Sequence, residues 1–167
     1  MITGNKVVIK GITKESSKQI YEWVNMEDLR SLTGTLYPIS EFEHEEWIKK
    51  VTSSPDKKLF LVEDKETCEN IGTIGLKNFD QINRNAELFI SLSKYGGYGS
   101  DAVQTLVKYC FSHLNIHKVY LNVFESNKRA IRCYEKSGFV AEGVLKEHHF
   151  NNGDYENVIV MAVKNSL

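Results

Sequence analysis

The stretch Lys94-Tyr-Gly-Gly-Tyr-Gly-Ser100 is the part of the chain best suited to hold a charged ligand. Glycines at 96, 97 and 99 let the backbone approach a ligand closely and adopt dihedrals that other residues avoid. Val103, Leu106, Val107, Cys110, Phe111 and Leu114 then recur at helical spacing, so the glycines stand at a helix start. A helix start carries free N–H groups and about half a positive charge. Together these make an anion site, most naturally for phosphate. The plain alternative is a flexible turn with no ligand. No Gly-Lys-Ser/Thr follows, so this is not a nucleoside-triphosphate loop, and the Gly-x-Gly-x-x-Gly spacing of dinucleotide folds is absent.

The elements that must position this turn can be read along the chain. Lys6–Ile12 is rich in β-branched residues and predicts a strand. Ile20, Trp23 and Val24 form a helical stripe within Lys14–Met26. A loop over Ser31–Pro38, punctuated by Gly34, leads to Ser40, which with Glu43 makes a capping box for a helix ending near Ser53–Pro55. Leu59–Val62, Asn70–Leu76 and Ala86–Leu92 read as strands of an antiparallel meander. After the glycine turn and its helix come a strand at His117–Val123 and a short helix at Asn127–Lys136, stopped at Ser137-Gly138. The chain closes with a hairpin, Phe139–Phe150 and Tyr155–Val163, around an Asn152-Gly153 turn. The expected fold class is α+β: a mixed, mostly antiparallel central sheet with flanking helices, in a single domain over residues 1–167.

Two segments resemble the GNAT superfamily of acetyl-CoA-dependent N-acetyltransferases. The family's Gln/Arg-x-x-Gly-x-Gly/Ala signature is matched by Lys94-Tyr-Gly-Gly-Tyr-Gly99, with lysine in the first place. Its later Asn-x-x-Ala-x-x-x-Tyr-x-x-x-Gly-Phe signature is matched by Asn127, Ala130, Tyr134, Gly138 and Phe139. The strand order agrees from about Lys6 to Lys164, and the tail Glu142–Met161 is similar to the subgroup of ribosomal-protein alanine and spermidine acetyltransferases.

The resemblance implies roles residue by residue. The turn Tyr95, Gly96, Gly97, Tyr98, Gly99 and Ser100 would hold the coenzyme A pyrophosphate on amides of Gly97, Gly99 and Ser100, with Lys94 adding a point charge. Strand atoms near Ile90 and Leu92 would pair with the pantetheine as an extra strand and polarise the thioester carbonyl. Asn127 would bond the pantetheine arm, and Lys128 and Arg129 would either reach the phosphates or form a solvated helix face. Tyr134 is the catalytic candidate. A phenol, with a pKa near 10, stays protonated at pH 7 and can hand its proton to a departing thiolate near 8.5. Its alternative is a core tyrosine beside Ile131. Glu87 is the candidate base for the incoming amine; otherwise it faces solvent or pairs with Arg84. The stretch from Glu87 to Lys94 is short for the family, which predicts the loss of a strand bulge there.

The implied activity is direct transfer of an acetyl group from acetyl-CoA to a primary amine, with no metal. The amine would belong to a protein N-terminus, a polyamine or a small molecule such as an amino sugar. The alternative is a catalytically weak GNAT-fold module that binds or senses acyl-CoA. Composition sets outer limits. With 21 Lys+Arg against 22 Asp+Glu, the net charge of -1 gives no bulk attraction to nucleic acid or an anionic membrane. Val158–Val163 is the longest apolar run, far short of a membrane span. No secretory signal opens the chain, and Cys68, Cys110 and Cys133 lack metal spacing, so a cytoplasmic protein is expected, with a homodimer allowed by the family pattern. An acidic group, Glu41, Glu43, Glu45 and Glu46, could attract a cationic acceptor, or serve the start of its helix. Tyr37, His44, Trp47, His148, His149 and Tyr155 are candidates for lining the acceptor cleft, or for the core. Adjacent strand residues such as His148 and His149 face opposite ways, which argues against a shared metal.

Overall fold

The computed structural model describes residues 1–28 and 36–166. Most of the loop expected over residues 31–38 therefore lies outside the described residues. The elements follow the order β1 (Ile2–Thr3), β2 (Val7–Lys10), α1 (Lys14–Asn25), α2 (Glu41–Ser53), β3 (Lys57–Asp64), β4 (Asn70–Asp80), β5 (Asn85–Leu92), α3 (Tyr98–His113), β6 (Lys118–Phe124), α4 (Lys128–Lys136), β7 (Val140–Asn151) and β8 (Asp154–Lys164). The expected elements are present, with β1 as an addition too short to carry a periodic signal.

All the strands join one sheet in the order β1-β2-β3-β4-β5-β6-β8-β7. Every neighbouring pair is antiparallel except β5 and β6, which run parallel. That parallel pair needs a crossover, and α3 supplies it. One sheet face meets α3 and α4 through Val103, Leu106, Val107, Cys110 and Tyr134, packed with Val62, Ile74, Leu76, Leu88 and Leu121. Each fully buried aliphatic side chain here contributes about 1.5–3 kcal/mol. On the opposite face, α1 and α2 pack on β4 and β3. Alternation along β3 serves both layers, with Val62 in the main cluster and Leu59 and Leu61 buried on the other side.

Turn chemistry fits the residues at the ends of elements. Asn152 and Gly153 both take positive φ, 52° and 90°, as a type I′ hairpin turn requires. Strand β7 forms the sheet edge and is exposed along its length except at half-buried His149.

The parallel pairing of β5 with β6 is short. It covers Asn85, Ala86 and Glu87 against Lys118, Val119 and Tyr120. Beyond it, β6 continues on β8 as far as Phe124, while Leu88 to Leu92 continue on β4 alone. The sheet opens as a wedge between β5 and β6. The expected loss of a bulge is seen: Glu87–Leu92 pairs without interruption against Lys77–Gly72, and the irregularity lies instead between Lys77 and Asp80.

Candidate active site

The wedge and the start of α3 meet where β5 ends. Gly97 is the N-cap of α3, at φ 91° and ψ 0°, with no side-chain cap. The first amide with a partner inside the helix is that of Asp101, bonded to the Gly97 carbonyl at 3.1 Å. Among the described residues, the amides of Tyr98, Gly99 and Ser100 have no partner, so three donors stand open at the positive end of a helix. A side chain at Gly97 would be strained by its φ, whereas the constraint at Gly99 is contact: a Cβ there would lie 3.2 Å from Cys133 Sγ. Gly99 thus lets α4 pack against the start of α3, and Ser100 Oγ lies 3.6 Å from the same sulfur.

Charged side chains brace the turn from below. Lys94 Nζ lies 2.5 Å from the buried Asp64 carboxylate and 4.9 Å from the Tyr98 ring centre. Asp64 also accepts the Glu66 amide at 2.9 Å. The Lys94 ammonium and then this amide hold the Asp64 carboxyl well below the usual carboxylate range. Lys94, expected to add a point charge near the phosphates, is in this structure bonded to Asp64 and anchors the turn to β3. Lys6 donates to the Gly96 carbonyl at 2.8 Å and lies over Tyr98. Asp101, the acid of the first turn of α3, accepts the amides of Asn5, Lys6 and Val7 at 2.7–3.1 Å. The sequence alone did not single out Lys6, Asp64 or Asp101. Their partners lie 30 to 96 residues away, and no local spacing encodes them.

Helix α4 carries the later signature. Asn127 caps it, its side-chain oxygen accepting the Ala130 amide at 3.2 Å. That leaves the side-chain amide nitrogen of Asn127 for a ligand. Lys128 is exposed, and Arg129 stacks on the Tyr95 ring at 3.7 Å, tying α4 to the glycine turn. Tyr134 is buried in the main cluster, its ring 5.9 Å from Phe139. Among the described residues its hydroxyl has no hydrogen-bond partner. Burial, and then the neighbouring Cys133, push its phenol above the ordinary value, so it is protonated at neutral pH. Ile90 and Leu92 are half-buried against this cluster along the open edge of β5.

Glu87 lies on the other sheet face, at the closed end of the wedge, and is 9% exposed. It neither faces solvent nor pairs with Arg84, whose guanidinium bonds the Asn115 carbonyl at 3.1 Å. Asn78 donates to one carboxylate oxygen at 2.8 Å, and Asn122 to the other at 3.3 Å. Lys77 Nζ is 3.6 Å away. Across the strands the register aligns Lys57, Lys77, Glu87 and Tyr120 in one row. Lys57 lies over Trp47 and Phe89, and Lys77 shares the Phe89 ring. Burial, and then Lys77, lower the Lys57 pKa below the usual lysine value.

The remaining candidates divide. His44 is a satisfied buried histidine, bonded to the Ser17 carbonyl at 2.8 Å, and it ties α1 to α2. His149 stacks on Phe124 with centroids 3.7 Å apart. Tyr37, His148 and Tyr155 are exposed. In the acidic group, Glu43 closes the capping box, Glu46 pairs with Lys49 at 3.2 Å, and Glu41 and Glu45 are exposed.

An open strand edge, three unpartnered amides and a buried protonated phenol fit a long ligand with an amide-bearing arm and a phosphate end. Comparison with known proteins gives the same direction. The family model described as "Acetyltransferase (GNAT) domain" matches residues 6–140. A spermidine N(1)-acetyltransferase of Vibrio cholerae is 34% identical over 133 residues, 77% of this chain and 76% of the relative. The spermidine N(1)-acetyltransferase of Escherichia coli is 38% identical over 98 residues, 57% of this chain and about half (53%) of the relative. A crystal structure of the V. cholerae spermidine N-acetyltransferase in complex with CoA and spermine superposes with TM-score 0.88 at 30% identity, covering 96% of each chain.

Proposed function

The chain belongs to the GNAT acetyltransferase family and is an N-acetyltransferase that uses acetyl-CoA, and we propose that its acceptor is a primary amine of a polyamine. The observation that carries the site assignment is the junction of an open strand edge, Leu88–Leu92, with the uncapped amides Tyr98–Ser100. The pyrophosphate of the coenzyme belongs on those amides and its pantetheine arm along β5. Asn127, at the facing start of α4, offers its amide nitrogen to the same arm. Bound acetyl-CoA supplies the activated acetyl group.

The chain's own residues supply the proton transfers. A polyamine amine with a pKa near 10.4 needs roughly 4–5 kcal/mol to lose its proton at pH 7. Glu87, held by two amide donors on the acceptor face, takes that proton directly or through water. Tyr134 keeps its own proton because it is buried, and gives it to the departing sulfur. The walls that raise the phenol also desolvate the thiolate, so donor and acceptor shift the same way. Titratable groups from β5 and α4 thus stand on opposite sides of the wedge, one to receive a proton and one to release it.

A second acceptor reading is favoured by one observation. Lys57 and Lys77 crowd the row beside Glu87, and among the described residues Lys57 has no acidic partner. An amine that also carries a carboxylate would be matched to them. Thiol release with acetyl-CoA over polyamines, peptides with free N-termini, amino sugars and amino acids decides between the two. Turnover highest with spermidine or spermine is expected; turnover confined to carboxylate-bearing amines would overturn the polyamine reading. Tyr134→Phe is expected to lower kcat by at least about 100-fold and leave CoA affinity unchanged. A wild-type kcat would remove Tyr134 from the chemistry.

A further inference from the structure

Asn78 has the unusual backbone on the Glu87 side of the sheet. Its φ is +53°, in the left-handed region, where asparagine is among the few residues tolerated. It follows Lys77 directly, at the point where the β4–β5 register shifts. In a regular strand, residues 77 and 78 would face opposite sides of the sheet. Here both reach Glu87: Lys77 Nζ at 3.6 Å, and the Asn78 side-chain amide at 2.8 Å from the other carboxylate oxygen. The irregularity therefore turns a neutral donor toward the carboxylate. Asn122, from β6, donates at 3.3 Å to the same oxygen that Lys77 approaches.

We propose that Asn78 is a positioning residue for acetyl transfer, its left-handed backbone serving to aim the amide that fixes the Glu87 carboxylate. The proposal rests on Glu87 being the proton acceptor. Without Asn78, Glu87 would keep Asn122 and Lys77, both on one oxygen, and the carboxylate would be free to rotate about that side. A bond to a charged group is worth about tenfold or more in an equilibrium or rate. The charged and titratable groups around Glu87 are Lys77 from β4 and Tyr120 from β6, with Lys57 from β3 beyond Lys77 and Asp80 near Tyr120. Substitution of Asn78 leaves these groups in place, and Asn78→Gly also removes the hydrogen bond between Asn78 and Tyr120.

The test uses Asn78→Gly, Asn78→Asp and Glu87→Gln in the full chain, with the best acceptor from the amine panel. Glycine accepts the positive φ, so Asn78→Gly removes the donor while sparing the backbone. Its expected effects are a kcat about tenfold lower, an almost unchanged acceptor KM and an acid limb of the kcat/KM–pH profile moved to higher pH. Its CoA affinity and melting temperature are expected to stay near wild type. Asn78→Asp keeps the shape but sets a like charge against Glu87, and a larger loss of kcat is expected. Glu87→Gln is expected to lose more kcat than Asn78→Gly and to leave an acid limb set only by the ionisation of the amine itself. A wild-type rate and pH profile in Asn78→Gly, with Glu87→Gln impaired, would overturn the role of Asn78 and leave that of Glu87 standing. A wild-type rate in Glu87→Gln would overturn both.

Discussion

Helices α2 and α3 begin in opposite ways. At α2, Ser40 accepts the Glu43 amide at 3.2 Å and Glu43 accepts the Ser40 amide at 2.8 Å. Helix α1 closes itself likewise with Thr13 and Ser16. At α3 the cap is a glycine with no side chain to offer, and the acid of its first turn faces away, toward residues 5–7. A chain that spends side chains on the starts of α1 and α2 leaves the start of α3 open, as the proposed phosphate site requires. The acids of α2 follow from the same contrast. Bonds from the Ser40 amide and hydroxyl lower the Glu43 pKa, which places that residue in the cap and not on a substrate.

The contrast can be broken by capping the open end. Gly97→Asp would place a carboxylate among the free amides and strain the backbone at φ 91°. A rise of about 100-fold in the Kd for CoA is expected, since a charge-assisted set of bonds is replaced by repulsion. Unchanged affinity by titration calorimetry would show that α3 does not hold the phosphates.

A smaller effect is expected where the turn is braced from β3. The depressed Asp64 carboxyl contributes stability in full above about pH 4 and loses it as the pH falls toward its folded value. Asp64→Asn is therefore expected to melt lower than wild type at pH 7, and to lose less on acidification below pH 4. It should also weaken CoA binding several-fold, because Lys94 loses its anchor. Parallel melting curves of the two proteins across this range would exclude the brace.

The smallest effect belongs to the closed end. Ser40→Ala is expected to cost about 1 kcal/mol, a fall of about 3 °C in Tm, with CoA affinity unaltered. A drop in CoA affinity would erase the distinction between the two helix starts.

What could be read from the sequence follows from how each part is built. The glycine turn and the Asn127–Phe139 stretch are continuous, so their residues declare themselves by spacing. The strand pattern and the hairpin turn were equally local. The surroundings of Glu87 come from three strands, with Asn78 and Asn122 lying 9 and 35 residues away from it. Pairing register, not periodicity, assembles them. Lys94 shows the same limit: its type suggested a phosphate contact, and only the fold brings Asp64 to it. His44 and Glu43 were open to two readings until their partners could be named.

The parting of β5 from β6 also has a kinetic consequence. Along Leu88–Leu92, amides that point toward β4 are locked in the ladder, and those alternating with them face the wedge with no strand opposite. In deuterated water the two sets exchange at different rates within one strand. A ligand arm seated in the wedge would slow only the second set, so the strand itself would register occupancy, residue by residue, with no label attached.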